Sequence, residues 1–103
     1  MYELRDYIDE NGNSRFARWF EELNAPAAAR VTMALTRMEQ GNFSSAKGVG
    51  GGVYESKIDF GPGYRVYYTQ RGTRLLLLLA GGDKSTQQKD IQLAIKLAKN
   101  FQE

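Results

Sequence analysis

Five consecutive leucines, Leu75 to Leu79, followed by Ala80, make the segment 73–80 apolar at every position from Leu75. A β-strand sends alternate side chains to opposite faces, so a strand that is apolar at every position needs cover on both. The run is far too short to span a membrane. Arg71-Gly72 before it and Gly81-Gly82-Asp83 after it are turn chemistry. The segment 73–80 is therefore expected to be the central strand of a sheet, closed by the two glycines.

The two preceding segments alternate instead. In 53–60, Tyr54, Ile58 and Phe60 oppose Glu55, Lys57 and Asp59; in 64–70, Tyr64, Val66 and Tyr68 oppose Arg65, Tyr67 and Thr69. Gly61-Pro62-Gly63 turns the chain between them. A hairpin must bring the two apolar faces together, so paired residues share parity. Phe60 opposite Tyr64 around a three-residue loop satisfies this rule. That register sets Lys57 opposite Tyr67 and Arg65 opposite Asp59, with Glu55 close by, on a polar outer face. The aromatic face, Tyr54, Phe60, Tyr64 and Tyr68, reads as core and not as a base-stacking platform, because amphipathic helices elsewhere need a partner.

Those helices are legible. Asn11-Gly12-Asn13 is a turn, and Ser14 or Asn13 caps a helix to about Leu23 with Phe16, Trp19, Phe20 and Leu23 on one stripe. Asn24 caps a second, Pro26 sits in its first turn, and it runs to about Gln40 with Val31, Leu35 and Met38 inward. Gly41 suits its C-terminal position. Ser85 with Gln88 reads as a capping box for a last helix carrying Ile91, Ala94, Ile95, Ala98 and Phe101. Residues 2–8 alternate weakly and read as a strand. Residues 43–52 read as a loop; its glycines lack the Lys-Ser/Thr ending and following helix of a phosphate-binding loop. The order β-α-α-β-β-β-α, over 103 residues with no repeat or linker, gives one domain, 1–103, of α+β class with a mainly antiparallel sheet.

Composition narrows the chemistry. There is no His and no Cys, which removes imidazole bases, thiol nucleophiles and the usual zinc ligands; no metal and no cofactor are expected. Residues 1–46 carry five basic and seven acidic side chains, whereas residues 47–103 carry nine basic and five acidic ones. Positive charge concentrated in one half suits a polyanionic partner and equally an ordinary solvated surface. Met1 to Glu10 holds no apolar signal segment, so the expected location is the cytoplasm, with no membrane partner. On the polar sheet face, Arg65 offers a bidentate fork, Lys57 a point charge and Tyr67 a stacking surface or proton donor. Lys84, just beyond the leucine strand, can reach the same rim. Lys47, ahead of the glycine run, adds a further cation.

Three stretches together resemble a known family. They are Lys47-Gly48-Val49-Gly50-Gly51-Gly52-Val53-Tyr54-Glu55, then Ile58-Asp59-Phe60-Gly61-Pro62-Gly63-Tyr64-Arg65-Val66-Tyr67-Tyr68, then Leu79-Ala80-Gly81-Gly82-Asp83-Lys84-Ser85-Thr86-Gln87. The chain resembles the RelE/ParE superfamily of type II toxin–antitoxin toxins, in its HigB-like addiction module killer branch. The resemblance implies a RelE-like fold and a cognate antitoxin, usually of helix-turn-helix type. It also implies cleavage of mRNA on the ribosome. Arg65 matches the arginine of the family's Tyr-Arg motif. Lys57 matches the basic position of its Glu-Leu-Arg motif, here Glu55-Ser56-Lys57, and Lys84 the basic residue after the last strand. The C-terminal tyrosine of some RelE members and the histidines of some HigB members have no counterpart. ParE members share the fold but inhibit DNA gyrase without catalysis, so fold leaves the target open.

The catalytic set expected from this resemblance is Lys57, Arg65 and Lys84, with Lys47 and Tyr67 contacting RNA. Metal-independent cleavage needs a base for the 2′-hydroxyl, cations for the charge building on phosphorus, and an acid for the leaving 5′-oxygen. Arg65 suits charge stabilisation. A lysine serves as base only where neighbouring cations or burial favour the neutral amine; otherwise Lys57 binds phosphate. The mixed charge of Arg18, Glu21, Glu22 and Arg37 suits the rim of an antitoxin contact.

Overall fold

The structure, a computed structural model, describes residues 1–101. Its elements are β1 (Glu3–Asp6), α1 (Arg15–Glu21), α2 (Ala25–Glu39), β2 (Ala46–Gly50), β3 (Val53–Ile58), β4 (Tyr64–Arg71), β5 (Leu75–Gly82), a 3₁₀ turn (Lys84–Thr86) and α3 (Gln87–Asn100). The five strands form one mixed sheet in the order β1-β5-β4-β3-β2. Strands β2 to β5 are an antiparallel meander, and β1 pairs parallel with β5. This α+β architecture is compatible with a RelE-like fold.

Each helix end follows from its sequence. Ser14 accepts a hydrogen bond from the Ala17 amide and Asn24 one from the Ala27 amide, so both expected caps form. Helices α1 and α2 lay Phe16, Val31 and Met38 on one sheet face against Ile58, Val66, Tyr68, Leu76 and Leu78. Tyr54 stands at the margin of this aromatic face, stacked on Tyr68 but 42% exposed. Helix α3 covers the opposite face, with Ile91, Ala94, Leu97 and Ala98 against Val53, Tyr67, Leu77, Leu79 and Ala80. The leucine strand is thus buried on both sides, although β4 and not β5 is the middle strand of the five.

Three local expectations need correction. The segment 43–52 is not all loop: Ala46–Gly50 pairs with β3 as an edge strand. Its glycine content hides it, and the hydrogen bonds of β3 impose the strand. Gly51 and Gly52 both have positive φ, as a tight hairpin turn demands, and a side chain on Gly51 would press on Ile95 of α3.

Gly81 and Gly82 do not end β5 but lie within it. Leu79 is the extra residue of a bulge, since Tyr67 pairs with Ala80 and Tyr68 with Leu78. The bulge reverses the facing of the strand's last residues. A side chain at Gly81 would collide with the Trp19 ring, and one at Gly82 with the Asp90 carboxylate.

The Ser85–Gln88 capping box does not form either. Asp83 caps the 3₁₀ turn, accepting from the Ser85 amide and hydroxyl, and α3 begins after Thr86 without a side-chain cap.

Candidate functional site

The β3–β4 hairpin has the expected parity but a register two residues away from the expected one. Lys57 pairs with Arg65 and Glu55 with Tyr67, so Lys57 does not face Tyr67 and Arg65 does not face Asp59. The ladder stops at Ile58 and Tyr64, leaving a loop of residues 59–63. Phe60 leaves the ladder and lies under the Arg30 guanidinium, 4.6 Å from the ring centre. A shift by two preserves which face each side chain takes. Lys57, Arg65 and Tyr67 therefore do share a face.

That face is not a solvated one. Helix α3 and the 3₁₀ turn close over it, leaving Glu55 2%, Arg65 6% and Tyr67 0% exposed. Glu55 is the hub. Its Oε2 accepts from the Tyr67 hydroxyl at 3.1 Å and from Gln87 Nε2 at 2.9 Å, and lies 3.6 Å from Arg65 Nε. Its Oε1 lies 3.8 Å from Lys47 Nζ. A carboxylate so buried needs this company, because desolvating an unpaired charge is costly. Burial, and then the Glu55 charge and hydrogen bond, push the Tyr67 phenol well above its ordinary pKa, so it stays protonated. Tyr67 as placed has no ring face open to a base.

Arg65 extends beyond Glu55 to the hairpin loop. Its Nη1 donates to the Gly63 carbonyl at 2.6 Å, while its Nε is buried without a hydrogen-bond partner among the described residues. The Lys84 amide donates to the Pro62 carbonyl at 3.3 Å, which ties the 3₁₀ turn to the same loop. The result is a surface depression of about 410 Å³ lined by Lys57, Asp59, Gly61, Pro62, Gly63, Arg65 and Lys84. Lys57 and Lys84 are exposed at its rim, and Arg65 forms part of its wall. Hydrogen bonds from Ser85 hold the neighbouring Asp83 carboxyl below its ordinary pKa, so it remains an anion fixed to the turn.

The five candidates from the sequence thus divide. Lys57, Arg65 and Lys84 converge on the Gly61–Gly63 loop. Lys47 and Tyr67 meet at Glu55 instead, joined to the others only through Arg65. Glu55 and Gln87 are the residues sequence reasoning passed over as partners. The alternation of β3 put Glu55 on the right face, but nothing in the sequence says that α3 would bury it.

A mixed five-stranded sheet with helices on both faces, and a depression at one end lined by Lys57, Arg65 and Lys84, makes this a small α+β protein. Over residues 18–102 it matches the family described as "Phage derived protein Gp49-like (DUF891)", and it belongs to that family. This is a RelE/HigB-like family of toxin type, associated with toxin–antitoxin systems. The chain is also 45% identical, over 87 residues, to an uncharacterized protein of Haemophilus influenzae, covering 84% of this chain and 88% of that protein. Among the described residues no helix is long and apolar enough to cross a membrane.

Proposed function

We propose that this chain is the toxin of a type II toxin–antitoxin module and acts as a metal-independent, ribosome-dependent mRNA endonuclease in the cytoplasm. A cognate antitoxin of helix-turn-helix type neutralises it. The observation that carries the reading is the convergence of Lys57, Arg65 and Lys84 on one depression in a Gp49-like chain. A phosphodiester seated there meets two exposed ammonium groups and the one guanidinium.

In the reaction, the 2′-oxygen bonds to the adjacent phosphorus and the bond from phosphorus to the 5′-oxygen breaks. The products are a 2′,3′-cyclic phosphate and a 5′-hydroxyl. Lys57, exposed at the rim, binds the phosphate; the 2′-proton passes to solvent, and Lys84 is the candidate to give one to the leaving oxygen. Arg65 stabilises the charge that builds on the phosphoryl oxygens. With no imidazole in the chain, orientation of the mRNA by the ribosome supplies much of the rate.

The test is induced expression with mapping of mRNA 5′ ends, alongside a gyrase supercoiling assay. Discrete new 5′ ends within translated messages are expected, and the Lys57→Ala/Lys84→Ala variant should lose them. Both side chains are exposed, so the variant keeps its fold. Intact messages with impaired supercoiling would replace this reading with the gyrase-inhibitor one.

A further inference from the structure

Arg30 and Arg37 are two turns apart on α2 and so point the same way. Both look into a cleft of about 400 Å³ between α2 and the β3 end of the sheet. Ser44, Ser45, Lys57 and Asp59 line its other side. Arg30 is held toward the hairpin by its stack on Phe60. Lys57 and Asp59 also line the depression described above, so the two hollows adjoin across the end of β3. The cleft carries three cations against the single carboxylate of Asp59, and Ser44 and Ser45 add exposed hydroxyl donors.

We propose that this cleft is a second phosphate-binding subsite, which holds the flanking backbone of a single-stranded RNA whose neighbouring phosphate lies at Lys57, Arg65 and Lys84. The ligand class rests on the ribonuclease reading. Single-stranded nucleic acid is tracked by a groove of cations, and hydroxyl groups add hydrogen bonds to phosphate oxygens. An acidic protein segment would also be drawn by the charge. The cleft lacks the aromatic anchors that centre protein interfaces, however, and it adjoins the depression at Lys57 and Asp59. A strand seated at Lys57 must leave the depression, and this is its cationic exit.

The experiment measures binding of a fluorescent oligouridylate with 2′-O-methyl sugars, which cannot be cut, across a salt series. Each phosphate neutralised on a single strand contributes about 0.7 to the slope of log K against log salt. Arg30→Gln/Arg37→Gln should flatten the slope by about 1.4. Arg37→Gln alone, at an exposed residue with no ion pair among the described residues, should give about half of that. Arg30→Lys/Arg37→Lys should restore the wild-type slope.

An unchanged slope in both glutamine variants would overturn the subsite, as would a wild-type protein that does not bind the oligomer. An unchanged slope joined to weakened antitoxin binding would assign the cleft to the antitoxin. If the slope flattens as expected but no message is cut in cells, the subsite stands and the ribonuclease reading falls.

Discussion

Arg65→Ala tests the site and the fold at once, and the two effects can be separated. On an exposed sheet face the substitution would leave stability untouched. Here Arg65 and Glu55 have side chains only 7% and 2% exposed, with Nε and Oε2 3.6 Å apart. Breaking a buried pair from one side costs about 3–5 kcal/mol, because the remaining charge is left uncompensated. Glu55 keeps Tyr67, Gln87 and the more distant Lys47, which places the cost near the lower end. At about 4–8 °C per kcal/mol for a domain of this size, a loss of about 3 kcal/mol lowers the melting temperature by about 12–24 °C.

Arg65→Met combined with Glu55→Gln removes both charges while keeping volume and the Gln87 and Tyr67 contacts. It should recover most of that loss. Urea and thermal unfolding of wild type, the two singles and the double give the coupling energy. The recovered stability then allows toxicity of the double variant to be read without confusion with unfolding. If Arg65→Ala melts within a degree or two of wild type, the Glu55–Arg65 pair is not buried in solution and this account of the face is wrong.

Gly81→Ala should destabilise by about 1–3 kcal/mol, the usual cost of overpacking, because its methyl group must displace the Trp19 ring. Trp19 is the only tryptophan, so its emission should shift in the folded variant; an unchanged spectrum and melting curve would contradict the close approach. Burial raises the pKa of Asp90, with a lesser contribution from the Asp83 charge, against the hydrogen bond from Thr86. The folded state therefore binds this proton more tightly than the unfolded one, and the stability it confers is lost as pH rises from 3.8 through the raised folded value. Asp90→Asn should melt above wild type at neutral pH and alongside it well below pH 3.8, where both side chains are neutral; equal melting at neutral pH would refute the shift.

What the sequence reveals here is what a local pattern can encode. The stripe of α1, the caps Ser14 and Asn24 and the parity of β3 and β4 each depend on spacing within one element, and all appear in the structure. The misses are of another kind. The bulge at Leu79 leaves no trace in a run of leucines, because the same residue type satisfies either face. Strand β2 has weak propensity of its own and is recruited by its neighbour.

At the candidate site, Lys57, Arg65 and Lys84 were placed together by facing and proximity in the chain, aided by family resemblance. The burial of Glu55, Arg65 and Tyr67 was not legible, since it is created by α3, a helix whose landing site no spacing rule specifies. Arg30 and Arg37 were visible as charges on a helix, but the cleft they enter exists only once α2 lies beside β3.

The parallel pairing of β1 with β5 sets a schedule for the nascent protein. Among the described residues, Glu3 to Asp6 find their only sheet neighbour in Leu75 to Leu78, about 70 residues further along the chain. At synthesis rates of about 5–20 residues per second, the first strand waits about 4–14 s for its partner to be made. Helix α3, which buries the Glu55 hub, is translated later still. The sheet edge and the cation-lined depression are therefore completed late in translation, after most of the chain has left the peptidyl-transferase centre. A partner that recognises the finished surface meets it only then.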